Sequence, residues 1–148
     1  MHTIHFELTT PERVVLRREI SGVTIPTSEG EITVLPDHIP LVTNLRPGML
    51  TVYDGSHEEY IAVSGGFIEL QPGNKLIVLA DTAERAEELD LQKVEEARAR
   101  AEQLLTEKRH ANDVASAGAF ATLERELART KVARKHRERK KLTLLQKN

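Results

Sequence analysis

The sequence predicts an α+β fold, with an antiparallel β-sandwich or barrel followed by two antiparallel helices. Four counts taken on either side of Ala86 predict it. Before this point the 148-residue chain holds seven of its eight Gly, all six Pro and 25 Val, Ile and Thr; after it come only 7 Val, Ile and Thr, but 10 Ala. β-branched residues interrupted by Gly and Pro are typical of strands and turns, whereas Ala among Glu, Lys, Arg and Leu is typical of helix.

Short runs of strand-forming residues follow one another through the first part of the chain. In the first run Ile4, Phe6 and Leu8 alternate with polar residues, the period-two pattern of a half-buried strand. Asp54-Gly55 is a strong hairpin signal because Gly accepts the positive φ of such turns. The expected strands are 4–8, 14–18, 22–26, 31–35, 49–53, 59–64, 67–70 and 75–80. So many strands leave no room for crossover helices, so we expect antiparallel pairing throughout.

The connection Pro36–Pro47 is less regular. Three prolines in twelve residues predict that it stays outside the central strands. Its apolar residues, Ile39, Leu41, Val42 and Leu45, either fold back into the core or form a contact surface, and core packing is the favoured interpretation.

Two helices are expected in the second part. Asp81 is one candidate cap for the first helix and Asp90 is a competing one. The apolar residues at spacings of three and four form one helical stripe, which is rich in Ala: Leu91, Val94, Ala97, Ala101, Leu104 and Leu105. The polar segment 109–113 is expected to end this helix, and Asp113 to cap a second one running through Phe120 and Val132. A short turn between two helices makes them antiparallel neighbours.

The end of the second helix is strongly basic. We call residues 129–141 the basic segment; it has eight cations and one acid: Arg129, Lys131, Arg134, Lys135, Arg137, Arg139, Lys140, Lys141 and Glu138. The net charge is −6 up to Ala86 and +4 after it, which the overall −2 conceals. The segment is a solvated helix face, a contact for an acidic protein surface, or a nucleic-acid contact, although it has no interleaved aromatic residue for base stacking.

The chemistry-bearing residues predict no catalytic or metal site, and no cofactor. His2 and His5 lack the third and fourth ligands of a metal centre. Glu29 and Glu31 have no partner base. Ser64-Gly65-Gly66 lacks the pattern of a phosphate loop or a nucleophile elbow, so a bulge or tight turn is the favoured interpretation.

Two further features limit the class of protein. The chain has no cysteine, which excludes disulfides and thiolate metal sites. It has no apolar run near the roughly 20 residues that cross a bilayer, and its first residues lack the pattern of a signal peptide. We therefore expect a soluble chain in a bacterial cytosol.

Several short motifs occur in order within residues 1–90. They are Thr10-Pro11-Glu12-Arg13, Glu29-Gly30-Glu31, Leu35–Thr43 (LPDHIPLVT), Arg46-Pro47-Gly48, Ala62–Glu69 (AVSGGFIE) and Val78–Ala86 (VLADTAERA). Together they resemble the epsilon subunit of the bacterial F-type ATP synthase, and the helical remainder is similar in layout. The resemblance implies an N-terminal antiparallel β-sandwich, residues 1–86, followed by a C-terminal antiparallel two-helix hairpin, residues 87–148.

The resemblance also implies a non-catalytic rotor subunit of the central stalk. Its partners would be the gamma subunit, the c-ring, and the alpha and beta subunits of the catalytic head, and no nucleic acid. The sandwich would couple proton-driven rotation to ATP synthesis, and the hairpin, compact or extended, would restrain ATP hydrolysis. Such a chain sits peripherally at the cytoplasmic face of the bacterial plasma membrane. The residues alone leave open a free-standing ATP sensor or a nucleic-acid-binding protein with a basic tail.

Site residues implied by the resemblance fall into two groups. Those expected at the c-ring and gamma are Glu29, Glu31, Pro36, His38, Pro40 and Leu41. Those expected at an acidic segment of the beta subunit are Arg129, Lys131, Arg134, Lys135 and Arg137.

ATP binding is not expected from the motif that some family members carry. That motif is Ile/Leu-Asp-x-x-Arg-Ala, and here Lys93 and Val94 replace its Arg and Ala. Lys is a single point charge where Arg offers a planar fork, so the replacement is not conservative. If binding is retained, Glu84, Asp90 and Lys93 are the candidates.

Overall fold

The structure, a computed structural model, describes residues 2–108 and 113–148, without the side chain of residue 113. The strands are β1 Ile4–Thr9, β2 Val14–Ile20, β3 Gly22–Thr27, β4 Gly30–Val34, β5 Leu41–Leu45, β6 Gly48–Asp54, β7 His57–Val63, β8 Gly66–Gln71, β9 Lys75–Ala80 and β10 Ala83–Arg85. A 3-10 helix Ala86–Glu88 leads to the helices α1 Leu91–Lys108 and α2 Asp113–Gln146. The α+β class is confirmed. Residues 109–112 of the expected break lie outside the described residues, and so does the side chain with which Asp113 was expected to cap the second helix.

The strands form one path that folds into two layers. Its order is β10-β7-β6-β3-β5-β8-β9-β1-β2, and β4 pairs with β3. β3 and β5 share only the pair Thr27–Leu45, and the sheet turns there. We call β10-β7-β6-β3-β4 the helix-side layer and β5-β8-β9-β1-β2 the open layer. Apolar side chains from both layers, including Phe6, Leu50 and Ile68, are fully buried between them and exclude water from the core.

Two expectations about the strands were wrong. β1 and β9 pair in parallel, which needs no crossover helix because the whole intervening sandwich makes the connection. Leu41–Leu45 is a strand inside the path, between β3 and β8. It tolerates the surrounding prolines because all three lie outside it, so each of its residues keeps a backbone N–H. Leu45 is buried, whereas Ile39 is 75% and Val42 is 61% exposed, so the segment supplies both core and surface.

The expected helix start at Asp81 was also wrong. Residues 83–85 instead extend the edge of β7, with Ala83 opposite Val63. The amide of Thr82 donates to the Ser64 hydroxyl at 2.8 Å, and the Ser64 amide donates to the Thr82 carbonyl at 3.0 Å. These long-range bonds hold the segment extended. The competing start is confirmed, because Asp90 accepts a 3.1 Å hydrogen bond from the Lys93 amide at the beginning of α1.

The hairpin lies folded against the helix-side layer. α2 packs on β6 and β7, where Val132 is fully buried beside Tyr60, Ala62 and Ala86. Several of the buried side chains on the two helices are small: Ala101, Ala119, Ala128 and Ala133. They allow close approach but bury little area each, so the hairpin is held more weakly than the sandwich core.

Tyr60 lies at the interface between α2 and the sandwich, so its titration reports on that interface. Its side chain is 3% exposed and its hydroxyl donates a 2.6 Å hydrogen bond to Glu58. Burial, followed by that bond, raises the pKa of Tyr60 from 10 to about 12. Between pH 10 and 12 the folded protein keeps a proton that the unfolded chain has lost, so stability falls as the pH rises. We expect the tyrosinate absorbance to show a phase near pH 12 that Tyr60→Phe removes; an unchanged titration in that variant would contradict this.

Candidate functional site

A buried charge network ties the start of the hairpin to the sandwich. Glu59 on β7 is 6% exposed and forms ion pairs with Arg18 on β2 at 2.8 Å and with Arg85 on β10 at 2.6 Å. Glu88 accepts the Arg85 amide at 2.7 Å and pairs with Arg13 at 2.7 Å. Glu59 is the buried member of these pairs, so removing Arg18 or Arg85 would leave a buried charge with one cation fewer. Arg13 and Glu88 are 48% and 37% exposed, so their pair contributes at most about 1 kcal/mol. The pairing of β10 with β7 and these contacts attach the chain as far as Glu88 to the sandwich.

The residues predicted at the c-ring and gamma lie in two separate surface segments. Glu29 and Glu31 are exposed on the β3–β4 hairpin. Pro36 and His38 are half-buried, Pro40 is exposed, and Leu41 packs against the core. No hydrogen bond or ion pair in the described part of the chain joins the two segments.

The Pro36–Pro40 loop is held rigidly. Asp37 has a positive φ of 68°; its amide donates to the Asn74 side chain at 2.6 Å, and the Asn74 amide group donates back at 3.1 Å. His38 Nδ1–H donates to the Ile39 carbonyl at 2.7 Å. Sequence reasoning missed Asp37 and Asn74, although Asp and Asn are the residue types that tolerate a left-handed backbone. The loop therefore presents an exposed Ile39 on a backbone that these hydrogen bonds hold in place.

The basic segment is partly neutralised within the chain. Arg129 Nε donates to Glu84 at 2.7 Å, and its Nη1 donates to Glu126 at 2.8 Å. Burial lowers the pKa of Arg129, but these two bonds outweigh burial and raise it above its ordinary value. Glu84 and Arg129, predicted for two different sites, are thus in contact.

The other predicted cations divide into two sets. Arg134 pairs with Glu95 on α1 at 2.9 Å. Lys131, Lys135 and Arg137 are exposed and form no ion pair within the described ranges. With Arg139 paired to Glu58 at 3.8 Å, five cations of the basic segment form no ion pair with any described residue while the hairpin is folded: Lys131, Lys135, Arg137, Lys140 and Lys141.

The three candidates for ATP binding are not assembled into one site. Glu84 is bonded to Arg129, and Asp90 caps α1. Lys93 is exposed. A groove of about 420 Å³ is lined by Glu84, Arg125 and Arg129 and includes neither Asp90 nor Lys93. Their role as candidates, should ATP binding be retained, stays untested.

In the part of the chain that the structure describes, no group of three His, Asp or Glu is arranged to hold a metal ion. Of the helices described, none is both long and apolar enough to span a membrane.

The Glu84–Arg129 pair predicts how firmly the hairpin is held. Both side chains are about one quarter exposed. In a double-mutant cycle with Glu84→Gln and Arg129→Gln we expect a coupling free energy of about 1–2 kcal/mol, measured by hydrogen exchange of α2. The matched control is Glu95→Gln with Arg134→Gln, whose side chains are 41% and 50% exposed and should couple by less than about 1 kcal/mol. Equal coupling in the two cycles would contradict a special role for Arg129.

Comparison with known proteins gives a consistent result. Residues 3–86 match the family described as ATP synthase, Delta/Epsilon chain, beta-sandwich domain. The chain is 46% identical over 134 residues to the ATP synthase epsilon chain of Moorella thermoacetica, covering 90% of this chain and 98% of that one. It is 40% identical over 134 residues to the ATP synthase epsilon chain of Chloroflexus aggregans, covering 90% and 94%.

Solved structures agree with the fold. A chain in the cryo-EM structure of the Euglena gracilis mitochondrial ATP synthase OSCP/F1/c-ring superposes with a TM-score of 0.72 and 27% identity, covering 84% of this chain and 77% of that one. A chain of the central stalk/c-ring of the Tetrahymena thermophila mitochondrial ATP synthase has a TM-score of 0.56 and 19% identity, covering 90% and 99%, and shows likeness of fold alone.

Proposed function

From the premise that the chain belongs to the epsilon chains of ATP synthase and is a central-stalk subunit of that membrane-bound rotary complex, we propose that it is a non-catalytic coupling and inhibitory subunit. Its sandwich, residues 1–86, transmits rotation between the c-ring and gamma. Its hairpin, residues 87–148, restrains ATP hydrolysis by the alpha and beta subunits. The chain works at the cytoplasmic face of the plasma membrane and performs no bond chemistry. The proposal rests on a contrast between two apolar clusters: a large buried core holds the sandwich together, whereas a small cluster around Val132 holds the hairpin against it.

The inhibitory part rests on a two-state hairpin. At its interface with the sandwich, the fully buried Val132 packs in one small apolar cluster with Tyr60, Ala62 and Ala86, and the ion pair of Glu84 with Arg129 beside it is partly exposed. Such an interface has a small free-energy gap between docked and released states. The hinge follows Glu88, because Arg13 and Arg85 hold that residue to the sandwich.

The cations of the basic segment would shift the equilibrium between the docked and the released hairpin. Lys131, Lys135 and Arg137 are free to meet the acidic segment expected on beta while the hairpin is still folded. Arg129 and Arg134 would then exchange their acids within the chain for acids of the partner. Electrostatic attraction of this kind speeds association and favours the released state at low ionic strength.

The coupling part rests on the fixed loop. We propose that Glu29, Glu31, Pro36, His38, Pro40 and Leu41 contribute contacts to the c-ring and gamma. The bonds between Asp37 and Asn74 support the role of the Pro36–Pro40 loop, since a compliant loop would absorb rotation instead of transmitting it.

A pull-down tests the assignment directly. The chain, tagged at its N-terminus, is captured from membranes of its own organism, and the expected result is co-purification of gamma, c, alpha and beta. Capture of the chain without gamma would contradict the proposal. Calorimetry with ATP and a gel shift with DNA at low salt measure the two free-standing alternatives in the same preparation.

A further inference from the structure

The turn between β8 and β9 is bonded to the Pro36–Pro40 loop. The Asp37 amide donates to the Asn74 side-chain oxygen at 2.6 Å, and the Asn74 side-chain nitrogen donates to the Asp37 carboxylate at 3.1 Å. A third bond ties Asn74 to the sandwich, because its carbonyl oxygen accepts the His5 amide of β1 at 2.8 Å. Asn74 therefore links the loop to the first residues of β1.

The two bonded residues share an unfavourable backbone conformation. Asp37 has a φ of 68° and Asn74 a φ of 62°, and within the described ranges they are the only residues other than Gly with a positive φ. A residue with a Cβ keeps this left-handed conformation where surrounding contacts impose it. Asp37 is also the third residue of the turn Leu35–His38, which the His38 amide closes by donating to the Leu35 carbonyl at 3.2 Å. A positive φ at that position favours Gly or Asn, so Asp37 depends on the support of Asn74.

The pair of bonds requires an Asn at position 74. Gly, Asn and Asp all adopt a positive φ readily, but Gly has no side chain to bond, and an ionised Asp has no donor and would repel the Asp37 carboxylate. Asn alone among them supplies both the acceptor and the donor. The other contact of the Asp37 carboxylate is weak, because His2 Nδ1 lies 4.0 Å away and both side chains are largely exposed.

We infer that Asn74 is the positioning residue of the Pro36–Pro40 loop: it holds Asp37 in the left-handed conformation and so fixes the direction in which Ile39 and Pro40 face outwards. Ile39 is 75% exposed, so its direction is set by the backbone beneath it and not by packing of its own side chain. The inference rests on the proposed function, in which this loop transmits rotation. It adds that the β8–β9 turn makes the loop stiff, and that Asn74 acts through Asp37.

The test compares two Gly substitutions in the full chain. Asn74→Gly keeps a residue that accepts a positive φ but removes both side-chain bonds. Asp37→Gly is the matched control, because it eases the same backbone conformation and keeps the amide that donates to Asn74. Hydrogen exchange of the amide of residue 37 is expected to be about tenfold faster in Asn74→Gly and to change less than about threefold in Asp37→Gly.

The functional measurement uses membranes whose complex carries either variant. Proton-driven ATP synthesis is expected to fall about threefold or more with Asn74→Gly and to change less than about 1.5-fold with Asp37→Gly. The unfolding temperature of each chain and the amount of each chain bound in the complex are measured as well. Both are expected to match the wild type, which separates positioning of the loop from folding and assembly.

Three outcomes would overturn the inference. The first is wild-type ATP synthesis, or wild-type exchange of the residue 37 amide, in Asn74→Gly. The second is an equal loss of synthesis in the two variants, because Asp37→Gly keeps the amide bond to Asn74. The third is an Asn74→Gly chain that unfolds at a lower temperature or leaves the complex, which would make the role of Asn74 structural. Failure of the wild-type chain to enter the complex refutes the proposed function itself and is seen without any variant.

Discussion

Removal of the residues beyond Glu88 is expected to raise ATP hydrolysis by the complex several-fold and to leave proton-driven ATP synthesis largely intact. The inhibitory element is lost, whereas the contacts proposed for the c-ring and gamma are retained. The measurements are ATP hydrolysis and synthesis by membranes carrying either the full chain or the truncated chain. Unchanged hydrolysis would show that the hairpin is not inhibitory.

The structure justifies this cleavage point. β10 pairs with β7, and the ion pairs of Arg13 and Arg85 keep the end of the truncated chain attached to the sandwich. Truncation uncovers Tyr60 and Ala62, which α2 buries in the full chain. A matched unfolding experiment on the truncated chain must show a cooperative transition before the hydrolysis result is interpreted.

A point variant should move hydrolysis in the opposite direction. Val132→Asp places a charge at a fully buried position of the docked hairpin and destabilises docking by about 3 kcal/mol or more. The released state becomes more populated, so hydrolysis should fall. Val132→Ala is the graded control, with a smaller decrease because it only shortens the side chain. A rise in hydrolysis with Val132→Asp would contradict the two-state interpretation.

The second large effect concerns the sandwich. Gly66→Ala is expected to destabilise it by about 3 kcal/mol or more, because a Cβ there would collide with the Leu79 carbonyl oxygen and approach the Ala80 Cα at 2.9 Å. Both obstacles are backbone atoms of β9, which cannot yield as a flexible side chain would. Urea unfolding of the isolated chain measures the effect.

Gly118→Ala is the matched control for this substitution. Gly118 sits inside α2, and apart from its chain neighbours and the helix backbone no described residue has an atom within 4 Å of a Cβ placed there, so Ala should stabilise that helix by up to about 1 kcal/mol. Opposite signs for the same chemical change would separate crowding from backbone entropy. Equal effects at the two positions would contradict the crowding argument.

The outcome of Gly66→Ala also tests the structural interpretation of the Ser64-Gly65-Gly66 motif. The structure uses Ser64 to bond Thr82 and uses Gly66 to bring β8 close to β9. The favoured interpretation of the motif as a bulge or tight turn was right that its role is structural, but Gly66 belongs to a strand. The signal was ambiguous because close backbone approach and a turn both select Gly.

Local patterns in the sequence predicted the two structural halves, most strand positions and the Asp90 cap, since residue periodicity and capping depend on neighbours a few residues apart. The β5 strand, the parallel β1–β9 pair and the extended β10 depended on partners distant in the chain. The same holds for the sites. Sequence identified the cations of the basic segment, but only the tertiary structure decided that Arg129 meets Glu84 and that Asn74 bonds Asp37. Such ion pairs and hydrogen bonds arise from distances in space, which sequence spacing does not determine when the partners lie on different strands, turns and helices.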